Sequence, residues 1–553
     1  MRKFLSVLII TSVLVLPFSA TNAQRTSNRP RASASVATQR GIETINGAQM
    51  RDYLSFIASD EMEGRDTPSK GLDITAGFLA MNLARWGFKP AGDNGTYLQK
   101  IALRRDTIDK EQIRVTLNGQ PLTFGDDYLP AGRGEAAGSL VFAGNGWFFK
   151  SRNVDPYKGI DAKGKIAVIF TPPDGLPRGV SQSDLAGKRG EDWIAPAEYA
   201  RKNGVVGLII VPGFQFLANW ERARQRIGER GALSVEKFQA QEGAQLPTII
   251  VSPRIANLLF QGEAQNGTAL FDAASSGSLP APFALNPEKK ISMTVSGKRE
   301  GISTQNVVAV FEGSDPVLKD EYVAVGAHYD HVGIGAPVNG DAIYNGADDD
   351  GSGTTALLAM AEALAKAAAR PKRSVIFIWH AGEEKGLWGS RYFVENPTVP
   401  LDKIVTQLNI DMIGRSKKAG DTNPKNKELT GPNEIYVIGS KMMSTELGGL
   451  SESVNKDYLN LSFNYKYDDP NDPNRFFFRS DHFNYARKGI PIIFYFDGEH
   501  EDYHRPGDHA DKIDYEKMEK VTRTVYMMLW ELGNRPTRPA VDKKLPKELM
   551  GAN

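Results

Sequence analysis

Apolar and polar positions change rhythm twice along this chain. From about Ile42 the apolar residues recur at helical spacing. That pattern predicts an amphipathic helix over 50–58 and another over 73–86, stopped by Gly87. Between them the polar stretch Ser59-Asp60-Glu61-Met62-Glu63-Gly64-Arg65 reads as a loop. Around residue 115 the texture shifts to short apolar runs separated by turn residues. Residues 139–143, 165–170, 205–211 and 246–252 read as strands, with helices over 196–203 and 253–260. Residues 263–285, rich in Gly, Ser, Ala and Pro, read as a boundary. From Gln305 onward, strands at 307–311, 322–327, 373–379, 405–411, 435–439 and 490–496 are interleaved with helices, the longest at 353–369 and 515–532. Such alternation predicts a three-layer α/β/α sandwich on a mainly parallel, mixed sheet. Residues 120–285 read as a separate β-rich α+β module inserted into it, leaving 41–119 and 286–535 as the larger unit and 536–553 as a tail.

Composition adds limits to this picture. The chain has 553 residues, 41% hydrophobic and 24% charged, which is ordinary for a soluble protein of several domains. A net charge of +1 provides no global field to recruit nucleic acid or an anionic membrane, so neither is expected as a partner. Met1-Arg2-Lys3, the apolar run 4–18 and the small residues Ser19-Ala20-Thr21-Asn22-Ala23 form the pattern of a signal peptide over 1–23, followed by a polar, disordered linker over 24–40. The expectation is export to a bacterial periplasm or exterior, with no stable membrane insertion once the signal is removed. Cysteine is absent. Disulfides are therefore impossible, and any zinc must be held by His, Asp and Glu, as catalytic rather than thiolate structural sites are.

Candidate chemistry concentrates late in the chain. All seven histidines lie between His328 and His509. His328 follows Val323-Ala324-Val325-Gly326, Glu383 and Glu384 follow Val375-Ile376-Phe377-Ile378-Trp379, Asp411 follows Val405-Thr406-Gln407-Leu408-Asn409-Ile410, and His504 lies beyond Phe494-Tyr495-Phe496. In a parallel sheet the carboxyl ends of strands share one edge, outside which ligands bind. Taken singly, His328 with Asp330 reads equally as a surface turn, Asp348-Asp349-Asp350 as a solvated acidic turn, and Glu383-Glu384 as a surface doublet. Together they compose a metal site. His328 would bind through one ring nitrogen while Asp330 fixes the other. One aspartate of the triplet, beside a helix start, could bridge two cations. One glutamate could ligate while its neighbour serves as general base.

Gly326-Ala327-His328-Tyr329-Asp330, Asn345-Gly346-Ala347-Asp348-Asp349-Asp350-Gly351-Ser352-Gly353, Gly382-Glu383-Glu384-Lys385-Gly386-Leu387-Trp388-Gly389-Ser390 and Tyr503-His504-Arg505-Pro506-Gly507-Asp508 resemble the motifs of the co-catalytic di-zinc exopeptidases, a family of leucyl-type aminopeptidases, glutamate carboxypeptidase-like enzymes and related glutaminyl cyclases. The insert, through Asp155-Pro156-Tyr157-Lys158-Gly159-Ile160-Asp161-Ala162-Lys163-Gly164-Lys165, is similar to a protease-associated domain. The resemblance implies two zinc ions per chain. His328 and Asp411 would hold one, Glu384 and His504 the other, with Asp349 between them and Glu383 as general base. It also implies a cis peptide bond at Asp349–Asp350. His331, His380, His482, His500 and His509 are then expected to be neighbours rather than ligands.

The expected activity is hydrolysis of N-terminal residues from peptides. Two enzyme readings stay open beside it. A carboxypeptidase would use cations such as Arg479 or Arg505 for the terminal carboxylate, and a glutaminyl cyclase would use a single zinc. A binding protein without activity would not need an intact base beside its ligands.

Overall fold

Four apolar strands set the frame. In the computed structural model, which describes residues 40–545 apart from 173–175, 186 and 240–245, strands Ser374–His380, Tyr322–His328, Ile404–Ile410 and Ile492–Phe496 lie side by side and parallel. They are almost wholly buried, which is why their sequences run apolar without alternating. Alternate side chains still serve opposite faces. Val323, Val325, Val375 and Phe377 join one core, while Ala324, Ile376 and Ile378 join another. Helices Gly47–Ile57, Lys70–Arg85, Gly351–Lys366, Thr445–Asp457 and Tyr515–Asn534 cover the first face. Trp388–Glu395 and His482–Arg487 cover the second. The result is a three-layer α/β/α sandwich. Antiparallel strands extend it, Gly297–Phe311 beyond Ser374–His380 and Glu434–Ile438 beyond Ile492–Phe496, so the sheet is mixed with a parallel centre.

Helix starts sit a few residues ahead of the apolar pattern because side-chain caps set them. Asn46 accepts from Gln49 N, Ser69 from Leu72 N and Asp350 from Gly353 N, so the helices begin at Gly47, Lys70 and Gly351. The third ends at Lys366 rather than 369. Residues 1–23, read as a signal peptide, and 24–39 of the linker lie outside the described residues, as do 546–553 of the tail. Among the described residues no helix is long and apolar enough to cross a membrane.

A second sheet orders Gln120–Pro121, Arg114–Leu117, Lys290–Val295, Gly134–Phe142, Ile166–Phe170, Gly207–Val211, Thr248–Val251 and Tyr128–Gly132, with Phe283–Ala284 beside Gly134–Phe142. Its limits differ from 120–285. Arg114–Leu117 and Lys290–Val295, expected in the larger unit, belong to this sheet because Val115, Leu117, Ile291 and Met293 bury their side chains in its core. The crossing point is a two-stranded ribbon in which Leu98–Ile108 pairs antiparallel with Gly297–Phe311 from Leu98↔Val307 to Ile108↔Gly297. Conversely, Ala232–Val235 from inside the insert pairs with Leu103–Asp106 and joins the first sheet. Residues 263–285, read as a boundary, instead contain helix Gly267–Ser276, capped by Asn266 and anchored by buried Leu270.

The polar loop 59–65 is a tight turn. Glu63, Gly64 and Arg65 have φ of 50°, 65° and 48°. Only glycine fits the middle position, where a Cβ would lie 2.4 Å from Tyr344 O and 2.7 Å from Gly333 O. The turn carries the Arg65 side chain fully inside. There it donates to the carbonyls of Tyr329 at 3.0 Å, Ile57 at 2.7 Å, Asn345 at 2.7 Å and Gly346 at 2.9 Å. Two of those carbonyls belong to the loop before helix Gly351–Lys366 and one to the loop after strand Tyr322–His328. Arg65 therefore ties both to the first helix of the sandwich. Burial pulls its guanidinium down to about 10, against Asp330 and Asp349, so it stays charged at neutral pH. Arg65→Met is expected to lower the unfolding free energy by on the order of 3–5 kcal/mol, about 1 kcal/mol for each stranded carbonyl. Denaturant titration of the intact chain reads this, and an unchanged midpoint would refute the bracing role.

Candidate metal centre

Every parallel strand ends at the same edge, and each end delivers a polar group. His328 is the last residue of its strand and Asp411 follows Ile404–Ile410 directly. Glu383 and Glu384 lie just past His380, and His504 sits in the loop beyond Ile492–Phe496, itself at φ 51°. Asp349 sits in the loop that opens helix Gly351–Lys366. The fold brings all six together. His328 Nε2 lies 3.3 Å from Asp349 Oδ1, 3.5 Å from Asp411 Oδ1 and 3.9 Å from Glu383 Oε2. On the other side His504 Nε2 lies 3.1 Å from Asp349 Oδ2 and 3.1 Å from Glu384 Oε2.

The aspartate triplet divides because successive side chains diverge. Asp348 turns back to accept from Gly414 N at 2.6 Å. Asp350 caps its helix at Gly353 N and also accepts from Met412 N at 3.1 Å. Only Asp349 faces the cluster, across a cis Asp349–Asp350 peptide bond. Its backbone N–H and that of Asp348 both donate to Asp508 Oδ2 at 3.2 and 2.9 Å. Arg415 holds Asp508 in turn, at 3.2 Å.

Two expectations change. The carboxylate of Asp330 stands 3.7 Å from His328 Nδ1, and its backbone oxygen is the nearer group at 3.1 Å. The carboxylate accepts instead from Glu383 N at 3.2 Å and from Thr67 Oγ1 at 3.1 Å, so it positions the loop that bears the glutamates. His331 was expected to be a bystander. Its Nδ1 lies 2.9 Å from Glu384 Oε1 and 3.6 Å from Asp349 Oδ2, inside the cluster. The signal was the pair His328 and His331, because a chain turning at a strand end brings residues three apart back to the same place. The other histidines are neighbours. His380 lies 3.3 Å from Asp481 and 3.0 Å from the Tyr485 hydroxyl. His482 stacks on Phe494, and burial pushes its imidazole down to about 3. His500 faces Asp348 at 3.4 Å and His509 faces Asp341 at 3.4 Å.

Four carboxylates and three imidazoles thus converge in a buried space. Among the described residues no lysine or arginine lies within ion-pair distance of these carboxylates. Burial, together with Glu384 and Asp411, raises Glu383 well above the usual carboxylate range. Burial also opposes charge on Asp349 and Glu384, yet the imidazoles outweigh it, holding Asp349 well below its ordinary value and Glu384 at about 2. His504 resists burial and is pushed up to about 10 by Asp349 and Glu384. Such a concentration of anions calls for cations.

The donor set fits metal ions. Neither ring nitrogen of His331, nor Asp349 Oδ2, nor Glu384 Oε1 makes an aligned hydrogen bond, close as they lie. Atoms that approach without aiming at one another are aimed at a common point. A tetrahedral zinc with bonds of about 2.0–2.2 Å separates its ligand atoms by roughly 3.3–3.6 Å. The separations in both halves of the cluster, 2.9 to 3.6 Å, lie around that value. His331, Asp349, Glu384 and His504 could hold one ion, and His328, Asp349 and Asp411 another. Nitrogen and carboxylate donors without thiolate suit zinc.

Several known proteins are similar to parts of this chain. Probable leucine aminopeptidase 2 of Aspergillus oryzae is 31% identical over 233 residues, which cover 41% of this chain and 38% of that protein. A probable zinc metalloprotease of Pyrenophora teres f. teres is 28% identical over 270 residues, covering 43% and 53%. The chain therefore spans about two fifths to a half of these curated relatives. Among solved structures, the aminopeptidase from Aneurinibacillus sp. strain AM-1 shares the fold, with a TM-score of 0.52 at 15% identity over 92% of this chain and 98% of that one. Residues 306–529, which hold every side chain of the cluster, match the model of peptidase family M28. That segment, about two fifths of the chain, carries its likeness to the M28 peptidases.

Proposed function

We propose that this protein is a zinc-dependent aminopeptidase that uses two metal ions and Glu383 as general base. One observation carries the reading: the two oxygens of Asp349 face two separate groups of imidazole and carboxylate, with Glu383 beside the first. Zinc ions held by His328, Asp349 and Asp411 and by Asp349, Glu384 and His504 would supply Lewis acidity for activating water and polarising the substrate carbonyl. Glu383, whose proton affinity is raised by burial and by its carboxylate neighbours, accepts the proton of that water and passes it to the leaving amine.

The adjoining cleft supports an N-terminal substrate. It is lined by Asp349, Glu383, Asp411, Met412, Phe476, Arg479, Phe494, Phe496, Glu499 and Tyr503. Arg479, the arginine of this lining, is already paired with Glu499 at 2.6 Å and so is engaged before a terminal carboxylate could reach it. Arg505 does not line the cleft. Met412, Phe476, Phe494 and Phe496 offer apolar walls for a large apolar side chain. The names of the relatives, a leucine aminopeptidase and a zinc metalloprotease, point the same way. Residues 1–23 act as an export signal in this reading, giving a periplasmic or secreted enzyme. The inserted module, of protease-associated type, shapes access to the cleft.

Glu383→Gln is expected to keep its zinc, measured by elemental analysis, while kcat falls by about 10²–10⁴-fold. A variant with substantial turnover would remove Glu383 from the role of base. Incubation of the zinc-loaded protein with a mixed peptide library, read by mass spectrometry, is expected to show loss of apolar residues from the amino terminus. Trimming from the carboxyl terminus, or cyclisation of an N-terminal glutaminyl peptide in place of cleavage, would overturn the aminopeptidase reading.

A further inference from the structure

The geometry points to two unequal metal subsites, with His331 as a fourth protein ligand at the one that bears Glu384 and His504. This inference rests on the two-metal reading above and assigns its halves different tasks.

The His331 ring is fully buried and fixed from several sides. Its backbone N–H donates to Arg65 O at 3.2 Å. Gly346 packs against the ring so closely that a Cβ there would lie 2.5 Å from it. Arg65 in turn clamps the carbonyls of Tyr329 and Gly346 on either side. Held in this way, Nδ1 points to the space shared by Glu384 Oε1, at 2.9 Å, and Asp349 Oδ2, at 3.6 Å. His504 Nε2 reaches Asp349 Oδ2 and Glu384 Oε2 at 3.1 Å each. Neither His331 ring nitrogen makes an aligned hydrogen bond, although Nδ1 stands 2.9 Å from Glu384 Oε1.

The opposite half offers three donors, from His328, Asp349 and Asp411. Four protein ligands complete a tetrahedron, as in structural zinc sites, whereas three leave the open position that catalytic sites keep. Glu383 stands on the three-ligand side, 3.9 Å from His328 Nε2. One subsite is therefore closed, tight and first to fill. The other is open, weaker and placed beside the base.

The test is metal binding, read without turnover. Wild-type protein is expected to hold two zinc ions with distinct affinities in competition against a chromophoric chelator. His331→Ala is expected to weaken the tighter site by more than about 100-fold, the upper end of what loss of a merely orienting partner costs. His331→Cys gives a positive signature. The chain has no cysteine, so a thiolate-to-cobalt charge-transfer band in the cobalt(II) form can arise only from position 331. Nδ1 is the ring nitrogen nearer the backbone, so a Sγ there comes within bonding reach of the same ion. Two cobalt ions bound by folded His331→Cys protein with no such band, or unchanged affinities in His331→Ala, would overturn the inference while leaving the two-metal reading intact. Fewer than two zinc ions in the wild type would overturn that reading itself.

Discussion

A carboxylate can stay ionised inside a protein only if positive charge faces it, and Asp349 lives under that constraint. It is almost fully buried, and imidazoles approach both of its oxygens. The surrounding backbone works to keep it there. Asp508 collects the N–H groups of Asp348 and Asp349, Asp350 is occupied by its own helix, and Arg65 gathers the carbonyls of the loop before it. None of these groups faces substrate. Their common effect is that one side chain of three turns toward the cluster.

The same constraint links the cluster to folding. Glu383, Glu384 and Asp411 crowd around Asp349, and among the described residues no lysine or arginine lies within ion-pair distance of them. Anions so arranged repel one another in a medium that screens poorly. Ions that bind the folded chain and not the unfolded one return that energy as stability. Chemistry and architecture are thus coupled at one point, and the parallel strands are the rigid support that makes the coupling possible.

Much of this was legible beforehand, for a physical reason. Strands buried on both faces read as unbroken apolar runs, so the residues that end them stand out, as His328, Glu383, Glu384 and Asp411 did. Helix interiors were equally plain, while their first turns waited on caps such as Asn46 and Ser69 that carry no apolar signal. Other features depended on backbone direction, which no periodicity encodes. Arg65 reads as a polar loop residue until three successive positive φ angles turn it inward. His331 reads as a neighbour until the chain bends after His328. Asp330 lies near His328 as expected, but its carboxylate serves the Glu383 loop, because a two-residue separation at a strand end leaves the backbone carbonyl closer. The limits of the insert were misplaced because the ribbon Leu98–Ile108 with Gly297–Phe311 continues almost without interruption from one core into the next.

That ribbon also changes what the inserted module is. Ala232–Val235 lies at the end of the first sheet, hydrogen-bonded along Leu103–Asp106. A chain trimmed of its insert would leave that stretch as a bare strand with free amides and carbonyls, open to pairing with another molecule. The insert thus supplies the end strand of the sheet that supports the metal centre. Two units that look separable along the sequence are bound together by backbone hydrogen bonds as well as by covalent continuity.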